Sequence, residues 1–148
     1  MFKTQSKGNS LELKCIAKFI ELGHECSIPY GNSALYDFIA DVNGKLLRIQ
    51  CKNAYQPMRS YSKSIDYNSF QISTTRQTTN TKRTKKFSYN KEDIDFFMTI
   101  FNDCFYLVPV EECNTVKIIR IGSSQRNLSN MNIAENYLFE NVLRSIII

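Results

Sequence analysis

No two cysteines in this 148-residue chain are spaced C-x-x-C, and the five present, Cys15, Cys26, Cys51, Cys104 and Cys113, are an odd number. Several sit in apolar runs, where a free thiol behaves as a small hydrophobe, so no disulfide framework is expected and a reducing, cytoplasmic setting fits best. There is one histidine, His24. It follows a helix-ending glycine and has no cysteine or acidic partner at ligand spacing, which makes it a surface residue rather than a metal ligand. No apolar run approaches the roughly 20 residues needed to cross a bilayer, and no basic segment followed by an apolar stretch opens the chain. The expectation is a protein neither secreted nor inserted in a membrane. No internal repeat is visible. What remains is one domain over residues 1–148, whose 43% hydrophobic content suffices for a core without disulfides or a structural metal.

Nineteen Lys and Arg against fourteen Asp and Glu give a formal charge of +5 and a pI near 9.0. Such a balance favours polyanions, nucleic acid first among them. The charge is unevenly placed. From Met58 to Phe87 the chain turns to Ser, Thr, Asn, Tyr and basic residues, with a short strand-like patch only at Phe70-Gln71-Ile72, and reads as a basic, loop-rich insertion at about 56–88. Arg59, Lys63, Arg76, Lys82, Arg83, Lys85 and Lys86 face a single acidic residue, Asp66, and Tyr61, Tyr67 and Phe70 are interleaved.

Elsewhere the patterning is regular. Leu13, Ile16, Ala17 and Ile20 recur at helical spacing over Leu11–Leu22, with a start near Gly8, Asn9 and Ser10 and a left-handed stop at Gly23. Glu25–Ile28 reads as a short strand and Tyr36–Asp41 as a second. Asn43-Gly44 then supplies the two positive-φ residues of a type I′ hairpin turn. Beyond it Leu47, Ile49 and Cys51 alternate with Arg48, Gln50 and Lys52, a period of two with one apolar face. Ile94, Phe97, Met98 and Phe101 predict a helix over Lys91–Phe101, in whose first turns Asp93 and Asp95 would favour the dipole. Strands follow at Cys104–Val108 and Val116–Ile121. A terminal helix is expected over Ile133–Ile148, opened by Asn132 with Glu135 at capping-box spacing.

If Asn43-Gly44 is a two-residue turn, Val42 faces Lys45 and Asp37 lies opposite Gln50, with Lys52 diagonal on the same face. Directly opposed residues have Cβ atoms about 4.5–5.5 Å apart, close enough for a carboxylate and an amide oxygen to share one cation. Hard oxygen ligands hold Mg²⁺, which acidifies its water and stabilises charge developing on phosphorus, while a lysine orients the nucleophile; the set suits phosphodiester hydrolysis. On periodicity alone, the polar face of this strand is more simply its solvent face.

The ordered series Gly8-x-x-x-Glu12 on a first helix, Tyr36-Asp37 opening a strand, a short hairpin, and Ile49-Gln50-Cys51-Lys52 resembles the PD-(D/E)XK nuclease core. Tyr89-x-x-x-Asp93-Ile94-Asp95-Phe96-Phe97 and Phe105–Val110 are similar to the branch containing compact group I intron homing endonucleases. The resemblance implies an α/β (α+β) restriction-endonuclease-like fold with a central mixed sheet flanked by helices. It implies Asp37 as metal-binding aspartate, Gln50 at the acidic position of (D/E)-x-K, Lys52 as its lysine and Glu12 as the helix carboxylate, with Mg²⁺ or Mn²⁺ as cofactor. Gln50 departs from the motif: an amide oxygen ligates, but stabilises a cation less than a carboxylate. Glu12 has a second explanation, since Asn9-x-x-Glu12 is also capping-box spacing.

The activity so implied is site-specific cleavage of double-stranded DNA, of homing or mobile-element type. The basic stretch would contact phosphates, and Arg76, Gln77, Lys82 and Arg83 are the candidates for base edges. Cutting two strands with one site per chain implies a homodimer or larger homo-oligomer, in which the tail Ile146-Ile147-Ile148 packs either at an interface or in its own core. Two alternatives stand beside this: a Holliday-junction resolvase-like nuclease, and a nuclease fold without catalysis that binds DNA or inhibits.

Overall fold

The computed structural model describes residues 3–58, 63–80, 83–121 and 132–147. Arg59, Tyr61, Lys82 and Ile148 lie outside the described residues. Helix α1 runs over Lys3–Glu21. It starts some seven residues earlier than its apolar spacing suggests, so Asn9 is interior and no N-cap. Its end is the expected one: Gly23 adopts φ +87°, its N–H donates to Ile20 O, and the His24 N–H donates to Phe19 O, a Schellman closure. His24 is half-buried with its ring edge-on to Phe19 at 6.4 Å, not a free surface residue.

Strands β1 (Glu25–Ser27), β2 (Phe38–Val42), β3 (Lys45–Cys51), β7 (Phe96–Phe101) and β8 (Cys104–Pro109) form a five-stranded sheet in the order β1-β2-β3-β7-β8. Its pairs are antiparallel except β3 with β7. The turn between β2 and β3 is as expected, with Asn43 at φ +52°, Gly44 at φ +89° and Val42 paired with Lys45. The helix expected over Lys91–Phe101 is not formed; Asn90–Ile94 turns and β7 follows. Phe97, Met98 and Thr99 are consecutive and buried, as a strand covered on both faces requires.

Two apolar layers follow from that coverage. On one face Leu11, Cys15 and Phe19 of α1 pack on Phe38, Ala40, Leu47, Ile49 and Met98, together with Phe139 and Leu143 of helix α2 (Phe139–Ile147). On the other, β4 (Ser69–Ser73) and β9 (Val116–Arg120), themselves an antiparallel pair, bring Phe70, Ile72 and Ile119 onto Phe97, Tyr106 and Val108. The terminal helix is shorter than expected: Ala134–Tyr137 form a 3₁₀ turn and Leu138 is extended, bridging Tyr106, before α2 begins. Ile146 of α2 packs against the first layer.

The insertion is also more regular than its composition suggests. Besides β4 it contains a hairpin of β5 (Thr75–Asn80) and β6 (Arg83–Ser88), paired from Thr75↔Ser88 to Asn80↔Arg83. Polar Thr-rich strands pair through their backbones without an apolar face, which is why periodicity missed them. No helix among the described residues is long and apolar enough to cross a membrane.

Candidate active site

The hairpin register holds through Phe38↔Ile49, and there the ladder changes. Asp37 lies just before β2; its N–H donates to the Ile49 carbonyl at 2.8 Å, and its Oδ2 accepts the Cys51 N–H at 2.7 Å. Asp37 is therefore not the step-for-step partner of Gln50 that a continued ladder would give. It is offset, with its carboxylate tied to the backbone one residue beyond Gln50. That bond fixes one of the two carboxylate oxygens.

Glu12, Asp37 and Gln50 nevertheless line one cleft of about 480 Å³, with Gly8, Asn9, Cys51 and Asn53. Gly8 and Glu12, one turn apart on α1, both line this cleft at the end of β3. Because Asn9 sits inside the helix, Glu12 has no helix end to cap. Desolvation, then the Asp37 charge, push the Glu12 carboxyl above its ordinary value. Asp37 is raised too: burial dominates, and the Cys51 N–H and the Lys52 charge only partly offset it. Two carboxylates that are costly to ionise next to each other define a place where a cation would be stabilised. Their donor atoms are all oxygens once the Gln50 amide is included. Cys51 also lines the cleft, and its hydrogen bond to the Cys15 thiol and its burial push its own thiol above its ordinary value. Among the described residues no cluster of three or more His, Cys, Asp and Glu side chains exists, so Gln50 or water would have to complete any coordination sphere.

Lys52 follows β3, and its N–H extends the parallel ladder to Met98 O at 3.0 Å. Its ammonium donates to the Thr75 carbonyl at 3.0 Å and lies 5.3 Å from the centre of the Tyr89 ring. Desolvation lowers its pKa, while the Asp37 charge works against that shift. The root of the basic hairpin thus holds the lysine, which feels the Asp37 charge but is not among the residues lining the cleft. Tyr89 and Thr75 are partners that sequence spacing did not suggest, as both act through Lys52 across the fold. Asn53 was likewise missed, although its position directly after Lys52 was a usable signal.

Arg48, on β3, takes a different role. Its backbone N–H and its guanidinium both donate to Asp95, with Nε 3.1 Å from Oδ2, and further guanidinium bonds reach the Lys91 and Glu92 carbonyls. Burial raises Asp95, but the Arg48 hydrogen bonds outweigh it and hold the carboxyl below its ordinary value. Asp95 is thus a clamp at the β3–β7 junction and not a helix-dipole residue. Of the DNA-contact candidates, Arg76 and Gln77 are on β5 and Lys85 and Lys86 on β6, with Gln77, Lys85 and Lys86 exposed and the Arg76 guanidinium 5.1 Å from the Phe87 ring centre. Lys63 is exposed before β4, and Arg83 opens β6.

The mixed sheet and α1 thus place Glu12, Asp37 and Gln50 at one cleft, with Lys52 close enough to Asp37 to feel its charge. The chain belongs to the PD-(D/E)XK endonuclease family, whose model matches residues 2–140. Among solved structures, the bacterial homing endonuclease I-Ssp6803I has a similar fold, with a TM-score of 0.74 at 20% identity over 99% of this chain and 94% of that one. No curated protein matches the chain.

Proposed function

We propose that this protein is a divalent-metal-dependent, site-specific endonuclease that cuts double-stranded DNA, of homing or mobile-element type. The observation that carries the reading is the meeting of Glu12, Asp37 and Gln50 in one cleft, with Lys52 electrostatically coupled to Asp37. Family membership supports the nuclease chemistry. The similarity to a homing endonuclease supports the finer type.

The paired carboxyls and the amide oxygen fit a hard cation, with Mg²⁺ preferred and Mn²⁺ the alternative. Glu12, Asp37 and Gln50 would hold it. When bound, the cation supplies positive charge at the phosphorus and an acidified water. The chain's own contribution is orientation. Cys51 N–H fixes the Asp37 carboxylate, and Thr75 O and the Tyr89 ring hold Lys52 where its ammonium can reach an anionic oxygen. Its lowered pKa leaves it better able to release a proton than an ordinary lysine. The hairpin and Lys63 would contact the phosphate backbone.

The test is incubation of purified protein with a mixed library of linear duplexes and four-way junctions, in Mg²⁺ or EDTA, beside Asp37→Ala. Cutting of linear duplex that needs Mg²⁺ and disappears in the variant is the expected result. Cutting confined to junctions would instead favour a resolvase. One observation favours the non-catalytic alternative: Gln50 gives less charge than the motif's carboxylate. Biological activity that survives Asp37→Ala and Lys52→Ala would decide for it.

A further inference from the structure

A second groove, of about 500 Å³, adjoins the cleft and is lined by Ser6, Lys7, Ser10, Leu11 and Lys14 of α1, with Asn53 and Ile100. Leu11 and Asn53 line both cavities, so the two are neighbours along α1. Positions 7, 10, 11 and 14 fall on one helical stripe, beside the stripe of Gly8 and Glu12 that faces Asp37. Lys7 and Lys14 are exposed, and among the described residues neither ammonium has a hydrogen-bond or ion-pair partner. Lys18, one turn further along α1, is by contrast engaged with Glu140 at 3.2 Å. Lys7 and Lys14, with two serine hydroxyls, thus line a trench beside the carboxylate cleft.

We infer that this groove is a phosphate-backbone site, in which Lys7 and Lys14, aided by Ser6, Ser10 and Asn53, hold the DNA strand leading into the cleft. The inference rests on the nuclease reading and adds a contact surface on α1, on the sheet face opposite the β4–β9 pair. Seven residues of helix separate the lysines by about 10 Å along the axis. That is the axial span of about three phosphates on one strand. A cationic trench also resolves an electrostatic difficulty: Glu12 and Asp37 repel a phosphodiester, and positive charge next to them offsets that repulsion.

Binding of the full-length protein to a linear duplex of arbitrary sequence, in EDTA, is measured over a series of salt concentrations. Each phosphate contact contributes about 0.9 to the slope of log K against log salt. Lys7→Gln/Lys14→Gln is expected to reduce the slope by about 1.8 with an unchanged thermal midpoint, and Lys7→Arg/Lys14→Arg to restore it. Lys85→Gln/Lys86→Gln on the hairpin serves as reference. A wild-type slope in Lys7→Gln/Lys14→Gln, with a reduced one in the hairpin variant, overturns the groove and leaves the nuclease reading intact. Wild-type protein that binds with the predicted slope changes but never cuts with Mg²⁺ leaves the groove standing and removes the nuclease reading. No binding by the wild type overturns the groove.

Discussion

Asp37 shows how a site residue works against its own fold. Its carboxyl is raised by burial, as is that of Glu12 beside it. A raised folded-state pKa contributes stability below the ordinary carboxylate values of 3.8 and 4.5, which is lost as pH climbs through the shifted values. Ionising either group in the fold thus carries a cost. Asp37→Asn, whose amide oxygen can still accept the Cys51 N–H, is therefore expected to raise the thermal midpoint at pH 7 in EDTA, with the difference shrinking as pH falls. In the wild type, Mg²⁺ at a hundred times its Kd should add about 2.7 kcal/mol, and in the variant close to none. An Asp37→Asn midpoint lower than wild type at pH 7 would refute the account. Lys52→Ala should reduce cleavage by about 10²–10³ while leaving duplex binding within a few-fold, a loss typical of removing one charge-stabilising donor. The nearness of Asp37 and Gln50 was legible because the hairpin turn set the register, whereas Glu12 and the roles of all four residues entered only through the family resemblance. The offset of Asp37 was not, since it depends on a side chain capturing a backbone N–H.

Among the elements, β3 and β7 decide whether the site is held. Their parallel pairing is pinned by Arg48 and Asp95, which exchange backbone as well as side-chain bonds. Asp95→Ala would strand the Arg48 donors and should destabilise by about 1.5–3 kcal/mol, measured by urea unfolding. Cleavage would fall with it, as Gln50 and Lys52 are carried by the same strand. The sequence pointed the wrong way here: Ile94, Phe97, Met98 and Phe101 match a helical stripe, but a strand buried on both faces shows apolar residues at every position and so satisfies either period. The α1 start was missed for the opposite reason, because Lys3–Ser10 has no apolar stripe of its own. The 3₁₀ turn before α2 reflects Leu138, pulled into an extended bridge with Tyr106. Once that helix begins, its first residue is deep in the core: Phe139 meets Phe19 edge-on at 4.9 Å. Phe139→Ala should cost about 3–5 kcal/mol by the same measurement.

For the whole molecule, geometry limits what one chain can do. On the proposed nuclease reading one carboxylate cleft would cut one strand, and the two strands of a duplex run in opposite directions. A double-strand break in one encounter therefore calls for two copies related by a two-fold axis, which matches the symmetry of the backbone. We predict a consequence that does not depend on knowing the interface. When wild type and Asp37→Ala are unfolded together in equal amounts and refolded, about half of the dimers should be mixed, each with one working cleft. On a supercoiled plasmid carrying the target, nicked circles should then accumulate, whereas wild type alone gives linear product and the variant alone gives neither. If the mixture instead yields linear product at half the wild-type rate and no excess of nicked circles, each chain acts alone on both strands in succession. The trench on α1 and the basic hairpin would in that case have to release and rebind DNA between cuts, and product ratios would depend on salt.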